Sequence, residues 1–362
     1  MSLLDDTLAR VQPPDDAAGS SVRARLEDVL GGAAPMGALG ELLEKYAAIT
    51  GNDSPAEIKK CAIICCADHG VAEMNVSAYP VSTTVQMTAN YLISRGSTAN
   101  ALSNFSGSEL LVVDLGIASD TSWIPGLIQR KIAFGTKNFA KGPAMTREQA
   151  IQGILTGIDM VRQCREEGYE LLGNGEMGIG NTSSTSACCM ALTGLSADEV
   201  VGKGGGLTDE GLVHKKEVIQ AALALNKPDP SDPIDVIAKV GGFDIAALTG
   251  CYIGAAYYRL PMVIDGVISS LAALCAYRLN PACADFMFAS HASAEPAYAF
   301  NMKELGLEPI LDMRMRLGEG TGCPLAFHIV GSACAMMRDM HTFAQEAMDE
   351  TYRIDIRKDD QK

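Results

Sequence analysis

Apolar and polar positions along the 362-residue chain change period many times, and each change marks an element. From Leu4 to Leu30 apolar residues recur at helical spacing between charged ones. Gly31-Gly32 and Gly37 to Gly40 interrupt that pattern and Glu41 to Ile49 resumes it, so the chain is expected to open with helices. Cys61 to Ala67 is a short continuous apolar run ending in Asp68-His69-Gly70, and Leu110 to Val113 ends in Asp114-Leu115-Gly116. The same order recurs at Leu171-Leu172 before Gly173-Asn174-Gly175-Glu176, at Met262 to Ile264 before Asp265-Gly266, and at Ala284 to Ala289 before Ser290-His291. Runs this short and apolar read as buried strands, each followed by a polar or glycine-bearing loop. Between them lie helical stretches at Ser82 to Leu102, Thr146 to Glu167, Glu210 to Leu225, Asp244 to Tyr258 and Ile268 to Tyr277.

Near-continuous apolar strands alternating with helices predict an α/β fold whose parallel sheet carries helices on both faces. In such open sheets a ligand sits outside the carboxyl ends of the strands, which is where the polar and glycine-rich segments gather. The chain shows no fixed-period repeat and no low-complexity segment, and its charged, periodic end, Glu346 to Lys362, is expected to be a terminal helix that frays.

Composition narrows the partners. A chain that is 48% hydrophobic and 20% charged has enough apolar surface for a large core. With 29 Lys+Arg against 44 Asp+Glu its formal charge is -15, which repels nucleic acid and anionic lipid. A phosphorylated small molecule stays admissible, because backbone N–H groups at a helix N-terminus hold an anion locally. Met1 to Asp16 carries four Asp residues and no signal-like apolar run, and stretches such as Ile245 to Tyr258 fall short of the roughly 20 residues that span a bilayer. The expected location is the cytoplasm. Eleven cysteines, scattered or adjacent and never in a CxxC pair, read as reduced, buried small hydrophobes.

Three glycine clusters carry the candidate chemistry. Gly173 to Thr182, GNGEMGIGNT, follows a strand and precedes the small-residue helix expected over Ser183 to Leu192. Glycines let backbone N–H groups approach a phosphate or ribose there; glycine content alone does not separate this from a tight structural turn. Gly202 to Gly206, in VGKGGGLTDEG, precedes a helix opening near Thr208, with Lys203 and Lys215 as cations able to neutralise a phosphate. Arg316 to Gly322, RLGEGTG, places Glu319 between glycines ahead of the apolar run Pro324 to Met336. A carboxylate in that setting can be partly desolvated so that its pKa rises, as a general base requires, or can be a helix N-terminal acid that stabilises the dipole. The five histidines show no metal-ligand spacing; His69 and His291 fall at loop mouths suited to a substrate contact.

Taken in order, ADHGVAEMNVSAYP (Ala67 to Pro80), GTKNFAKGPAMTREQA (Gly135 to Ala150), GEMGIGNT (Gly175 to Thr182), GGFDIAALTG (Gly241 to Gly250), DGVIS (Asp265 to Ser269), SHASAEP (Ser290 to Pro296) and LGEGTG (Leu317 to Gly322) resemble the nicotinate-nucleotide:dimethylbenzimidazole phosphoribosyltransferase family of cobalamin synthesis. The resemblance covers the chain from about residue 60 onward. It implies a Rossmann-like parallel sheet over residues 51–339, a small helical domain built from residues 1–50 and 340–362, and a homodimer or a heterodimer with a paralogue. It implies transfer of the phosphoribosyl group of nicotinate mononucleotide to a benzimidazole, purine or phenol, with inversion and without a cofactor or metal. Glu319 would be the base, with Glu176 as backup acid, and Gln86 of VSTTVQM would lie near the aromatic base. The stretches matching those around ribose, phosphate and base hold Met177, Gly178, Ile179, Gly180, Asn181 and Thr182; Lys203, Gly204 and Lys215; Asp265; Ser290, His291 and Ser293; and Leu317. The chain departs from the family pattern where Lys203, Gly205 and Thr208 stand.

Two rivals are weighed against this. An NAD-dependent oxidoreductase would carry GxGxxG after its first strand, where Asp68-His69-Gly70 stands instead. A non-catalytic subunit that supports a partner, or one chain of a heteromeric enzyme using phenolic bases, keeps the fold; the presence of both Glu319 and Glu176 speaks against the non-catalytic form.

Overall fold

A computed structural model of the chain describes residues 3–29, 36–55, 57–343 and 345–347. Helices α1 (Leu3–Arg10), α2 (Ala17–Asp28) and α3 (Ala38–Thr50) precede β1 (Lys60–Ala67). Then come α4 (Ser82–Ala89), α5 (Thr98–Ser106), β2 (Glu109–Gly116), β3 (Ile128–Gln129), α6 (Arg147–Glu166) and β4 (Leu171–Met177). A run of helices follows: α7 (Asn181–Thr193), α8 (Ala197–Val200), α9 (Asp209–Asn226), α10 (Pro233–Val240) and α11 (Phe243–Tyr258). The chain continues through β5 (Met262–Ile264), α12 (Val267–Leu279), β6 (Met287–Ala289), α13 (Ala297–Leu305) and α14 (Gly322–Asp339).

All six strands pair in parallel in the order β3-β2-β1-β4-β5-β6. The order reverses between β1 and β4, and a crevice opens at such a switch point beyond the carboxyl ends of the strands. Side chains of β4 alternate between the two faces. Gly173 and Gly175 face α14, while Asn174 accepts from Tyr252 of α11 and Ser269 of α12. Helices therefore cover both faces, as the alternation of elements predicts. Helix α6 lies so close against α11 that a Cβ on Gly157 would sit 1.9 Å from the carbonyl oxygen of Ala247.

Several expected boundaries shift. The helix expected over Leu4 to Leu30 is two helices, because Pro13 and Pro14 lie between α1 and α2 and proline has no N–H for the helical ladder. The stretch Ser82 to Leu102 is broken: α4 runs into a π-helical turn over Asn90–Ser94, Arg95 takes a left-handed φ of 52°, and α5 starts afresh at a Ser97 cap. The strand expected over Ala284 to Ala289 begins only at Met287, after a 3-10 turn over Pro281–Phe286. Strand β3 and helices α8, α10 and α13 were not anticipated. The terminal helix expected over Glu346 to Lys362 falls almost entirely outside the described residues. The N-terminal helices pack on α14 and α11, and Leu4, Val22, Leu26 and Tyr46 join the same core as the strands.

Candidate active site

The first glycine cluster is two structures. The expectation of a loop from Gly173 is wrong: β4 runs through Leu171–Met177, and only Gly178 to Gly180 form the turn into α7. Glycine is depleted in strands because it leaves nothing to pack, but here the absent side chains admit neighbours. A Cβ on Gly175 would lie 2.2 Å from the backbone nitrogen of Gly320, and one on Gly173 would meet Cys323 at 2.6 Å. Gly180 caps α7 with φ 99°, so the N-terminus of that helix opens onto the crevice.

There a cavity of about 570 Å³ has its wall made by Glu176 to Thr182 at the end of β4 and just beyond it, Gly266 to Ile268 after β5, His291, Ser293 and Glu295 after β6, and Arg316 to Glu319 before α14. Tyr79, Thr83 and Met87 line it from the segment after β1.

Glu319 reaches this wall on a strained turn. Gly318, Glu319 and Gly320 take φ values of 79°, 60° and 72°, a left-handed run that a glutamate adopts only where its surroundings enforce it. The enforcement comes from Asp265, whose two carboxylate oxygens accept from the N–H groups of Gly320 at 2.9 Å and Gly322 at 2.6 Å. The Asp265 N–H donates in turn to the Ser269 hydroxyl at 3.0 Å. On the other side the Glu319 N–H donates to Glu176 Oε1 at 3.3 Å. Burial raises the Glu319 carboxyl above its ordinary range; Tyr91 pulls it down and Asp265 adds to the rise.

Glu176 is more deeply enclosed. Burial, then the charges of Asp244 and Asp265, push its carboxyl up to about 8, against the pull of Asn181 and of the Glu319 N–H. Asn181 Nδ2 donates to Glu176 Oε2 and, at 3.5 Å, to Asp244 Oδ2. Asp244 also binds His69 Nε2 at 3.0 Å, and His69 Nδ1 lies 2.7 Å from the Ser184 hydroxyl. Because a carboxylate only accepts, Nε2 carries the hydrogen and Nδ1 accepts from Ser184.

Of the residues singled out in the sequence, Glu319, Glu176, Met177, Gly178, Ile179, Gly180, Asn181, Thr182, Gly204, His291, Ser293 and Leu317 line the cavity. Five do not. Asp265 is buried with its carboxylate occupied by the loop backbone, so it shapes the site from behind. Ser290 is buried, its hydroxyl 2.9 Å from His291 Nδ1. Lys215 is buried too, donating to Thr182 Oγ1 at 2.9 Å and to the Gly202 carbonyl at 3.2 Å, and burial lowers its pKa to about 8. Lys203 pairs with Asp209 at 2.6 Å outside the cavity. Gln86 is exposed on α4, beside the Thr83 and Met87 that do line it. His69, expected at a loop mouth, is buried in the hydrogen bonds just described and lines nothing. Residues that sequence reasoning missed include Arg316, which is the one Lys or Arg among the described lining residues, and the pair Thr83 and Met87. Their four-residue spacing on one helix face was the available signal.

A phosphoribosyltransferase family model matches residues 11–348. The nicotinate-nucleotide–dimethylbenzimidazole phosphoribosyltransferase of Clostridium tetani is 44% identical over 362 residues, 99% of each chain. That of Ruminiclostridium cellulolyticum is 50% identical over 320 residues, 87% of this chain and 90% of its own. The chain belongs to this phosphoribosyltransferase family. The crystal structure of CobT from Thermus thermophilus superposes with a TM-score of 0.87 at 36% identity, covering 92% of this chain and 99% of that one. The Rossmann-like sheet implied by the family resemblance is therefore the fold found. Among the described residues no group of three or more His, Cys, Asp or Glu side chains is placed to hold a metal, and no helix is long and apolar enough to cross a membrane.

Proposed function

We propose that the protein transfers the 5-phosphoribosyl group of nicotinate mononucleotide to an aromatic lower-ligand base of a cobamide, a benzimidazole or a related purine or phenol. The observation that carries this reading is Glu319: a carboxylate raised by burial and held on a strained, clamped turn at the wall of a cavity whose other wall is a helix N-terminus. In this reading the phosphate lies against Gly178 to Thr182, where backbone N–H groups and the helix dipole favour an anion. Arg316 and the glycines at 204 and 205 border the same space.

The ring nitrogen of nicotinate is cationic in the donor, so the electron pair of the breaking glycosidic bond neutralises it as it leaves. One nitrogen of a benzimidazole or purine, or the hydroxyl oxygen of a phenol, attacks the anomeric carbon from the opposite face, turning the β-linkage into an α-riboside. Glu319 takes the proton from the other nitrogen, or from the attacking hydroxyl of a phenol. Glu176 is suited to a different task, because a group raised to about 8 is mostly protonated at neutral pH and is a poor base there. It holds the Glu319 peptide and remains the backup acid.

We further infer a cytoplasmic location, supported by eleven free, buried cysteines, and assembly into a dimer.

Incubation of purified protein with nicotinate mononucleotide and a panel of benzimidazoles, purines and phenols tests the reading by mass spectrometry. Release of nicotinate with a riboside phosphate of one of these bases is expected. No product with any of them contradicts it. Glu319→Gln is expected to lower kcat by about 10²–10⁴-fold with folding intact, and near-normal turnover would move the base role elsewhere.

A further inference from the structure

Tyr91 is 1% exposed, in the π-helical turn Asn90–Ser94 that follows α4. It stands four residues beyond Met87 and eight beyond Thr83, both of which line the cavity. π-turns are uncommon and recur at functional sites, where the extra residue re-aims a side chain. This one is fixed at both ends: the Arg95 N–H donates to the Asn90 carbonyl at 2.7 Å, and Asn100 Nδ2 donates to the Tyr91 carbonyl at 3.0 Å. The ring is thus held, yet the hydroxyl is buried and closes no hydrogen bond of 3.5 Å or less with any described group. A buried phenol left that way costs free energy, so a native structure that keeps one invites a reason.

The groups around it supply the reason. The ionisable side chains facing the Tyr91 hydroxyl are Glu319, Cys66 and Glu176, and those facing Glu319 are Tyr91 and Asp265, with Glu176 bound to its peptide. Burial keeps the Cys66 thiol and the Tyr91 phenol protonated. Asp265 is already engaged by backbone N–H groups, and Glu176 by Asn181 and the Glu319 N–H. Tyr91 is therefore the one of these groups whose hydroxyl remains free to donate to the neighbouring Glu319 carboxylate.

We propose that Tyr91 is a positioning residue for Glu319: its hydroxyl closes onto the Glu319 carboxylate when the substrates fill the cavity, fixing which oxygen faces the incoming base. The proposal rests on the reading of Glu319 as the general base. The bond is made in the reacting complex, so its strength is directed at the chemical step instead of at folding.

Tyr91→Phe keeps the ring and removes only the oxygen. A donor to an anion stabilises the anion, so its loss raises the carboxyl's pKa. The acidic limb of the kcat profile, which reports the substrate-bound enzyme, is expected to move up by about one pH unit, with kcat below that limb falling about tenfold. The KM for nicotinate mononucleotide should be unchanged. Thermal stability should hold or rise, since the resting protein loses an unpaired hydroxyl. An unmoved limb overturns the proposal, and a lowered melting temperature with an unmoved limb assigns the hydroxyl to the fold. Glu319→Gln separates the two levels. If the wild-type limb persists in that variant, the base reading fails; if the limb vanishes there but stays in place in Tyr91→Phe, only the role of Tyr91 fails.

Discussion

Glu176 sits at the end of β4 with Asp244 and Asp265 for neighbours, and burial and both charges push its carboxyl the same way. In the unfolded chain the group ionises near 4.5, in the folded protein near 8. Between those values the folded state holds a proton that the unfolded state has released. The stabilisation is complete below about 4.5 and is lost as pH rises through about 8. Glu176→Gln mimics the neutral form and removes that titration. The melting temperature of the wild type is therefore expected to fall more steeply than that of the variant between pH 5 and pH 8.5, measured by scanning calorimetry, with parallel curves refuting the assignment. Glu319, half-buried on its turn, shifts in the same direction through burial, with Tyr91 opposing.

At the scale of elements, the site depends on how closely the turn before α14 lies on β4. Gly175 has no side chain where the Gly320 backbone passes, and Asp265 at the end of β5 grips that backbone from beside it. Gly175→Ala places a Cβ 2.2 Å from the Gly320 nitrogen, against backbone that cannot rotate away. Overpacking of this kind costs about 1–3 kcal/mol. Here the displaced segment carries Glu319, so we expect both a lower urea midpoint and a loss of kcat exceeding tenfold. Full activity at reduced stability would show that the turn is held by Asp265 alone. The same dependence explains why the reading of Gly173 to Thr182 as one phosphate loop fails: half of it is strand, and its glycines serve packing.

The whole molecule carries a formal charge of -15, yet the proposed donor is an anion. The fold resolves this locally by opening the α7 N-terminus and Arg316 into the cavity while Lys203 and Lys216 pair with Asp209 and Asp198 elsewhere. Assembly belongs to this scale as well. Phe105, Trp123 and Phe134 are 75%, 57% and 68% exposed on the single chain, a set of large apolar side chains that association covers more readily than water does. Light scattering on the purified protein is expected to give twice the chain mass. A mass matching one chain would refute the dimer.

Much of this was legible beforehand, for a physical reason. β1, β2 and β5 announce themselves because a strand buried on both faces needs a continuous apolar run, whereas Glu319 is singled out as a candidate base by the family resemblance, since an acid ahead of a helix otherwise reads as one that stabilises the helix dipole. What the sequence hid is whatever depends on which distant groups come to lie together. β4 reads too short because its glycines argue against a strand until Gly320 and Cys323 are seen to need the space. Lys203, Lys215 and Asp265 have the right chemistry for substrate contacts, but Asp209, Thr182 and the Gly320 to Gly322 backbone reach them first. Tyr91 looks like any helix tyrosine until the π-turn buries its hydroxyl unpaired near Glu319. Hydrophobic period determines elements and their layering; the partner of each polar atom is decided only when remote segments meet, and there the tertiary structure alone has the answer.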